Sequence, residues 1–335
     1  MLILRLWSPK TKERSPLKNF LLRMQRRKKE SKMRKLTVKK KSQIFTALVT
    51  PFCEDKSIDW KAFQGLVEGQ VEAAVDGLVL CGTTGEAPAL TVSEKISLIK
   101  RAKALAGDDL HIMAGSGSSN TEQSVELSKL CLDAGADSLL VVTPPYNKPS
   151  LSGLVAHFEA IATAAKAPMC LYHVPGRTAQ RLTASEMKEI CQIDNFFSVK
   201  EASADLSLFS KVVQVCPDKK VFSGDDPTYL PSLSVGGLGC ISVLTNIFPK
   251  PFVAMTKAFE QGEVARATEI HNTLYPFIQA LFSETNPCPL KAALNIAGLC
   301  KNLVRLPLDV VLPSNYNLLE KLFRETNKRL EELAS

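Results

Sequence analysis

The apolar run Phe196-Phe197-Ser198-Val199 ends in Lys200. A lysine delivered by a buried strand is costly to keep charged, and desolvation favours the neutral amine, which is a nucleophile. Two earlier runs also end in groups able to do chemistry. One leads into Cys81-Gly82-Thr83-Thr84-Gly85-Glu86, and the other is Leu171-Tyr172-His173-Val174-Pro175-Gly176-Arg177-Thr178. Successive amides in a glycine turn such as Thr83-Thr84-Gly85 form a nest for a carboxylate, and a threonine hydroxyl adds a donor. The phenol of Tyr172 is a weak acid at neutral pH and needs a relay to move protons. The guanidinium of Arg177 can grip a carboxylate in a bidentate way. A lysine, a tyrosine, an arginine and a hydroxyl pair, each at the end of a strand-like run, suggest Schiff-base chemistry on a keto acid.

The elements that must position these groups recur from residue 44 onward. Short apolar runs lie at 46–49, 78–81, 111–114, 138–142, 169–172, 196–199, 220–223 and 240–243. Unbroken rather than alternating runs mark strands buried on both faces, as in parallel sheets. Amphipathic segments separate them. In 59–75, Trp60, Phe63, Leu66, Val67 and Val71 fall on one face, and Thr91-Val92-Ser93-Glu94 reads as a capping box opening a helix. Eight β–α units predict a (β/α)8 TIM barrel over residues 43–260. Three further helical stretches, near 263–283, 288–299 and 315–333, predict a C-terminal helical appendix over 261–335. Such a barrel carries its function at the C-terminal ends of its strands. Lys200, Tyr172, Arg177 and Thr83-Thr84 all fall there, as do Tyr146 after the fourth run and Gly224-Asp225-Asp226 after the seventh.

Composition narrows the alternatives. The chain has 335 residues, 45% hydrophobic and 23% charged, an ordinary globular balance. Its net charge of +8 belongs to the first 42 residues, which carry 16 Lys/Arg against 2 Glu; the rest is net −6. Nucleic-acid binding by the folded part gains no support, and no apolar stretch is long enough to span a membrane. The segment 1–42 reads as a disordered basic arm, either a dispensable tail or an over-extended start. An organellar transit peptide and a nucleic-acid or membrane-surface tether are its alternatives. The nine cysteines show no C-x-x-C pair and the four histidines no i, i+4 pair, so no metal site is expected. Buried thiols in a reducing cytoplasm are the simplest reading.

Gly82-Thr83-Thr84-Gly85-Glu86, Tyr172-His173-Val174-Pro175-Gly176-Arg177-Thr178, Val199-Lys200-Glu201-Ala202 and Ser223-Gly224-Asp225-Asp226 together resemble the dihydrodipicolinate synthase family. So does Asn286-Pro287-Cys288-Pro289-Leu290-Lys291. That family belongs to the pyruvate-dependent class I aldolases, which include N-acetylneuraminate lyase, and the resemblance runs in order over about 44–325. It implies condensation of pyruvate with L-aspartate 4-semialdehyde in the diaminopimelate and lysine pathway, without a cofactor. Lys200 becomes the Schiff-base nucleophile and Tyr172 the general acid/base. Thr84 and Tyr146 become the relay, Tyr146 coming from a neighbouring subunit of a homotetramer. Thr83, Thr84, Gly85, Arg177, Gly224 and Ile241 become substrate contacts.

Neuraminate lyases lack the arginine, so Arg177 argues against the alternative of an aldolase or lyase acting on a sugar acid or related 2-keto acid. The intact Lys200, Tyr172 and Thr84 argue against a retired barrel. His173 departs from the family's asparagine, and its side chain is expected to point away from substrate. Where strongly lysine-inhibited members carry His, Asn, Glu and an aromatic residue, this chain reads Lys95, Ser119, Gln123 and Pro145, which implies weak feedback inhibition.

Overall fold

Each of the eight apolar runs becomes a strand. The computed structural model describes residues 41–334, so the basic arm lies outside the described residues except for Lys41 and Ser42. The strands are β1 (Gln43–Ala47), β2 (Gly77–Leu80), β3 (His111–Gly115), β4 (Ser138–Val142), β5 (Met169–His173), β6 (Phe196–Glu201), β7 (Lys220–Ser223) and β8 (Gly239–Ser242). All pair in parallel with their sequence neighbours, and β1 pairs with β8, which closes the barrel.

One helix follows each strand: α1 (Trp60–Glu72), α2 (Val92–Ala106), α3 (Thr121–Asp133), α4 (Leu151–Ala165), α5 (Ala184–Ile190), α6 (Leu206–Val215), α7 (Tyr229–Ser234) and α8 (Pro249–Gln261). The appendix is α9 (Val264–Leu281), α10 (Cys288–Ile296) and α11 (Pro313–Ala334). No described helix is long and apolar enough to cross a membrane.

Two cores result, as strands buried on both faces require. Ile44, Leu78, Ile112, Leu139, Leu171, Val199 and Val221 point outward to the helices. Phe45, Val79, Met113, Leu140, Cys170, Tyr172, Phe222 and Ile241 fill the barrel. Alternation along each strand therefore decides which side chains reach the interior. In β5 this sends Tyr172 inward and its neighbour His173 outward.

The capping box predicted at the start of α2 is present, with Glu94 N donating to Thr91 Oγ1 and Thr91 N to Glu94 Oε2. An unforeseen second box, Thr183 with Glu186, opens α5. Two expectations need correction. β1 begins three residues earlier than its predicted run, because Gln43 to Thr46 pair with β8 while Leu48 and Val49 already belong to the following loop. Trp60 is 40% exposed rather than on the buried face of α1. It occupies the first helical position, where its ring packs edge-on against Phe63. The face instead buries Gln70, whose Oε1 accepts from Thr46 Oγ1 at 2.6 Å and whose Nε2 donates to Thr245 O at 2.9 Å. A hydrophobic pattern cannot show a glutamine satisfied in this way.

Candidate active site

Register brings the lysine and the tyrosine together. On β5 and β6, Tyr172 pairs with Lys200 directly across the ladder. Side chains at matched positions on parallel strands share a face, so both enter the barrel. Lys200 is 6% exposed and Tyr172 7%, and the Lys200 Nζ lies 4.4 Å from the centre of the Tyr172 ring. The electron-rich ring face gives an ammonium a favourable neighbour and gives the amine an apolar wall.

Gly224 makes room for this lysine. A Cβ at that position would come within 2.8 Å of Lys200 Cε and 2.6 Å of Ala202 Cβ. Gly224→Ala must therefore displace the lysine chain or strain the end of β7. A misplacement of about 1 Å at a reacting centre costs on the order of a hundredfold. Any step that the Lys200 amine performs should slow by about that factor in G224A, measured as turnover against the wild type. A variant as fast as wild type would show that the space beside Lys200 is not critical.

The Thr83-Thr84-Gly85 turn follows β2. Its internal bonds run from Glu86 N to Thr83 O and from Ala87 N to Gly82 O. Among the described residues, the amides of Thr83, Thr84 and Gly85 donate to no protein acceptor, as an anion nest requires. Gly85 O is held by Thr50 Oγ1 at 2.8 Å. Thr84 is buried, and its Oγ1 accepts from Asn286 Nδ2 at 3.0 Å.

A cavity of about 360 Å³ opens over the turn. It is walled by Thr83, Tyr172, Val174, Arg177, Lys95 and Pro145, among others. Thr83 therefore shares the cavity wall with Tyr172 and Arg177, while Thr84 lies behind it. Arg177 sits on a single helical turn, Pro175–Thr178, that follows β5, with Nη2 donating to Asn286 O at 3.1 Å. Ile241 is wholly buried, in the cluster that fills the barrel interior together with Phe222 and Tyr172. Tyr146 is not on this wall. It stands 91% exposed with φ of +72°, a left-handed conformation uncommon for a tyrosine.

His173 points outward, as expected. Its Nδ1 lies 3.0 Å from Glu201 Oε1, and its Nε2 accepts from Leu182 N at 3.1 Å. The backbone donor fixes Nε2 as the acceptor, so Nδ1 carries the hydrogen that Glu201 receives. The pair ties β5 to β6 one residue beyond Tyr172 and Lys200. Burial pushes the thiols of Cys81 and Cys170 up, Cys170 to about 12. Neither is therefore a thiolate at neutral pH. No group of His, Cys, Asp and Glu among the described residues could hold a metal ion.

Further groups hold the turn from outside the barrel. Glu86, at φ of +55°, forms an ion pair with Lys291 of α10, and both side chains are fully buried. Burial pushes the Lys291 pKa down against the pull of Glu86. The Lys291 Nζ also donates to Leu303 O at 2.7 Å and lies 4.0 Å from the centre of the Phe52 ring. Glu86 Oε2 accepts from Arg305 N at 2.9 Å. The Arg305 guanidinium reaches Glu94 and Ala89 O, and holds the Glu94 carboxyl down at about 2. Asn286 and Lys291 are visible in the sequence as parts of a motif. Nothing marks Arg305 there, because its partners lie more than 200 residues away.

The model of the Dihydrodipicolinate synthetase family matches residues 40–326. The 4-hydroxy-tetrahydrodipicolinate synthase of Methanococcoides burtonii is 40% identical over 284 residues, covering 84% of this chain and 97% of that protein. The enzyme of the same name from Maridesulfovibrio salexigens is 43% identical over 278 residues, covering 82% and 95%. The solved structure of the 4-hydroxy-tetrahydrodipicolinate synthase from Methylacidiphilum fumariolicum SolV superposes with a TM-score of 0.85 at 36% identity, covering 88% of this chain and 98% of that one. A closed barrel with a lysine, a tyrosine and a threonine turn at its mouth, together with likeness along nearly the whole length of these relatives, places the chain in the dihydrodipicolinate synthetase family.

Proposed function

We propose that this protein condenses pyruvate with L-aspartate 4-semialdehyde to 4-hydroxy-tetrahydrodipicolinate through a Schiff base on Lys200. The observation that carries the reading is Lys200 itself, buried at the end of β6 against the Tyr172 ring. The Lys200 amine attacks the keto carbon of pyruvate, and loss of water leaves an iminium. The iminium draws electrons from the methyl group, which gives up a proton to become an enamine. The enamine carbon attacks the aldehyde of the second substrate. That substrate's own amine then displaces Lys200 and closes the ring. The free amides of Thr83, Thr84 and Gly85 suit the pyruvate carboxylate, and Gly224 and Ile241 shape the floor beneath it. Tyr172 moves the protons, helped by the Thr84 hydroxyl, and no cofactor is called for.

Arg177 at the cavity wall is suited to the carboxylate of the semialdehyde. Arg177→Ala should raise KM for that substrate about tenfold to a hundredfold, the worth of a charge-assisted contact of about 1.5–3 kcal/mol. Pyruvate trapping by borohydride should be unchanged. Equal losses in trapping and condensation would place Arg177 elsewhere in the mechanism. Turnover with aspartate semialdehyde compared with N-acetylmannosamine, each with pyruvate, tests the reaction as a whole. Preference for the amino sugar would replace this reading with a sugar-acid lyase.

Tyr146 belongs, in this reading, to the relay of a neighbouring copy within a homotetramer of two tight dimers. Its exposure and left-handed backbone support a side chain presented outward rather than into its own barrel. Mixing inactive Lys200→Ala with impaired Tyr146→Phe should restore activity, because mixed dimers contain one site with both groups intact. Proven subunit exchange without rescue would return Tyr146 to its own subunit. The nine cysteines, all but Cys53 buried, support a reducing, cytoplasmic setting for the enzyme.

A further inference from the structure

Asn286 stands just before α10, in the appendix rather than the barrel, and is 8% exposed. It touches both halves of the site. Its Nδ2 donates to Thr84 Oγ1 at 3.0 Å, and its main-chain oxygen accepts from Arg177 Nη2 at 3.1 Å. A hydroxyl has one hydrogen to give, and Thr84 Oγ1 is already an acceptor. Among the described residues its own hydrogen goes to no protein acceptor. Without Asn286 the rotor could turn that hydrogen in several directions. With it, the hydrogen is reserved for the groups that react. The residues around Asn286 make this anchor firm: Glu86, two residues beyond Thr84, is paired with Lys291 of α10, and Arg305 closes the other side.

We propose that Asn286 is a positioning residue, which fixes Thr84 as a hydrogen donor toward the reacting groups, so that the appendix sets the direction of proton movement in the barrel mouth. This rests on the Schiff-base reading of Lys200. The role requires an amide N–H at this place, and it needs no contact between Asn286 and substrate.

The test uses the full-length chain and three readouts at saturating pyruvate. These are borohydride trapping for the imine, exchange of pyruvate methyl hydrogens for deuterium for proton abstraction, and condensation with aspartate semialdehyde. In Asn286→Ala, trapping should stay within about twofold of wild type while exchange and condensation fall about tenfold to a hundredfold, as loss of a positioned proton-transfer group does. Thr84→Ala should lose exchange and condensation at least as far. The double variant N286A/T84A should be no worse than T84A, since one residue acts through the other. Asn286→Asp keeps the side-chain shape but offers Thr84 no hydrogen, so it should fall as far as N286A. It also serves in the cycle if N286A does not fold. Wild-type exchange in N286D, or losses that multiply in the double variant, would overturn the proposal. Absence of trapping in the wild-type enzyme would instead dispose of the Schiff-base reading itself.

Discussion

Lys200→Arg should reduce turnover by on the order of 10⁴-fold or more, the scale on which an enzyme loses its covalent nucleophile. Arginine keeps the positive charge and the length of the side chain but stays protonated, so it cannot form an imine. The Lys200 stem is closed in by the Tyr172 ring and by Gly224, where even one added carbon would lie 2.8 Å from Lys200 Cε. Thermal stability and the circular dichroism of the barrel should change little, because Phe222, matched to Lys200 across the ladder, and Ile241 still fill the interior. Steady-state assay against the wild type reads the loss. A variant within tenfold of wild type would mean that the lysine supplies charge rather than a covalent bond.

Lys291→Met is expected to have the largest effect on stability. Removing one member of a fully buried ion pair leaves the other charge unpaired and costs about 3–5 kcal/mol. In a barrel of this size that corresponds to a fall in Tm on the order of 10 °C. The same change frees the turn after β2, since Glu86 follows directly on Thr83-Thr84-Gly85. Activity should therefore decline at temperatures where the protein is still folded. Adding Glu86→Gln should recover part of the lost stability, because it removes the stranded carboxylate. Differential scanning calorimetry of the two variants measures both effects. A single variant as stable as wild type, or a double variant worse than the single, would show that the pair does not hold the appendix to the turn.

The fold was legible because the barrel writes itself in a local code. β4 and β7 start and stop where the apolar runs Ser138–Val142 and Lys220–Ser223 do, since strands buried on both faces need unbroken hydrophobic sequence. Thr91 and Glu94 marked the start of α2 for the same reason: a cap is made within one turn of helix. Burial at Gln70 and exposure at Trp60 were not legible, because each depends on what stands opposite in space. The site divides in the same way. Lys200 and Tyr172 could be found because each stands near the end of a strand-like run in the sequence, and Arg177 because it stands in the same motif as Tyr172, on the turn that follows β5. The grip of Asn286 on Thr84 and of Lys291 on Glu86 could not, since those contacts join residues some 200 positions apart. Motif membership pointed at Asn286 and Lys291 without saying what they hold.

The central claim is a covalent bond between Lys200 and pyruvate. Wild-type protein incubated with pyruvate and reduced with borohydride should gain the mass of one reduced pyruvate adduct per chain. Peptide mapping by tandem mass spectrometry should place that mass on Lys200 alone, and Lys200→Arg should gain none. An unmodified wild-type chain, or a modification located on Lys95 or Lys291, would contradict the account.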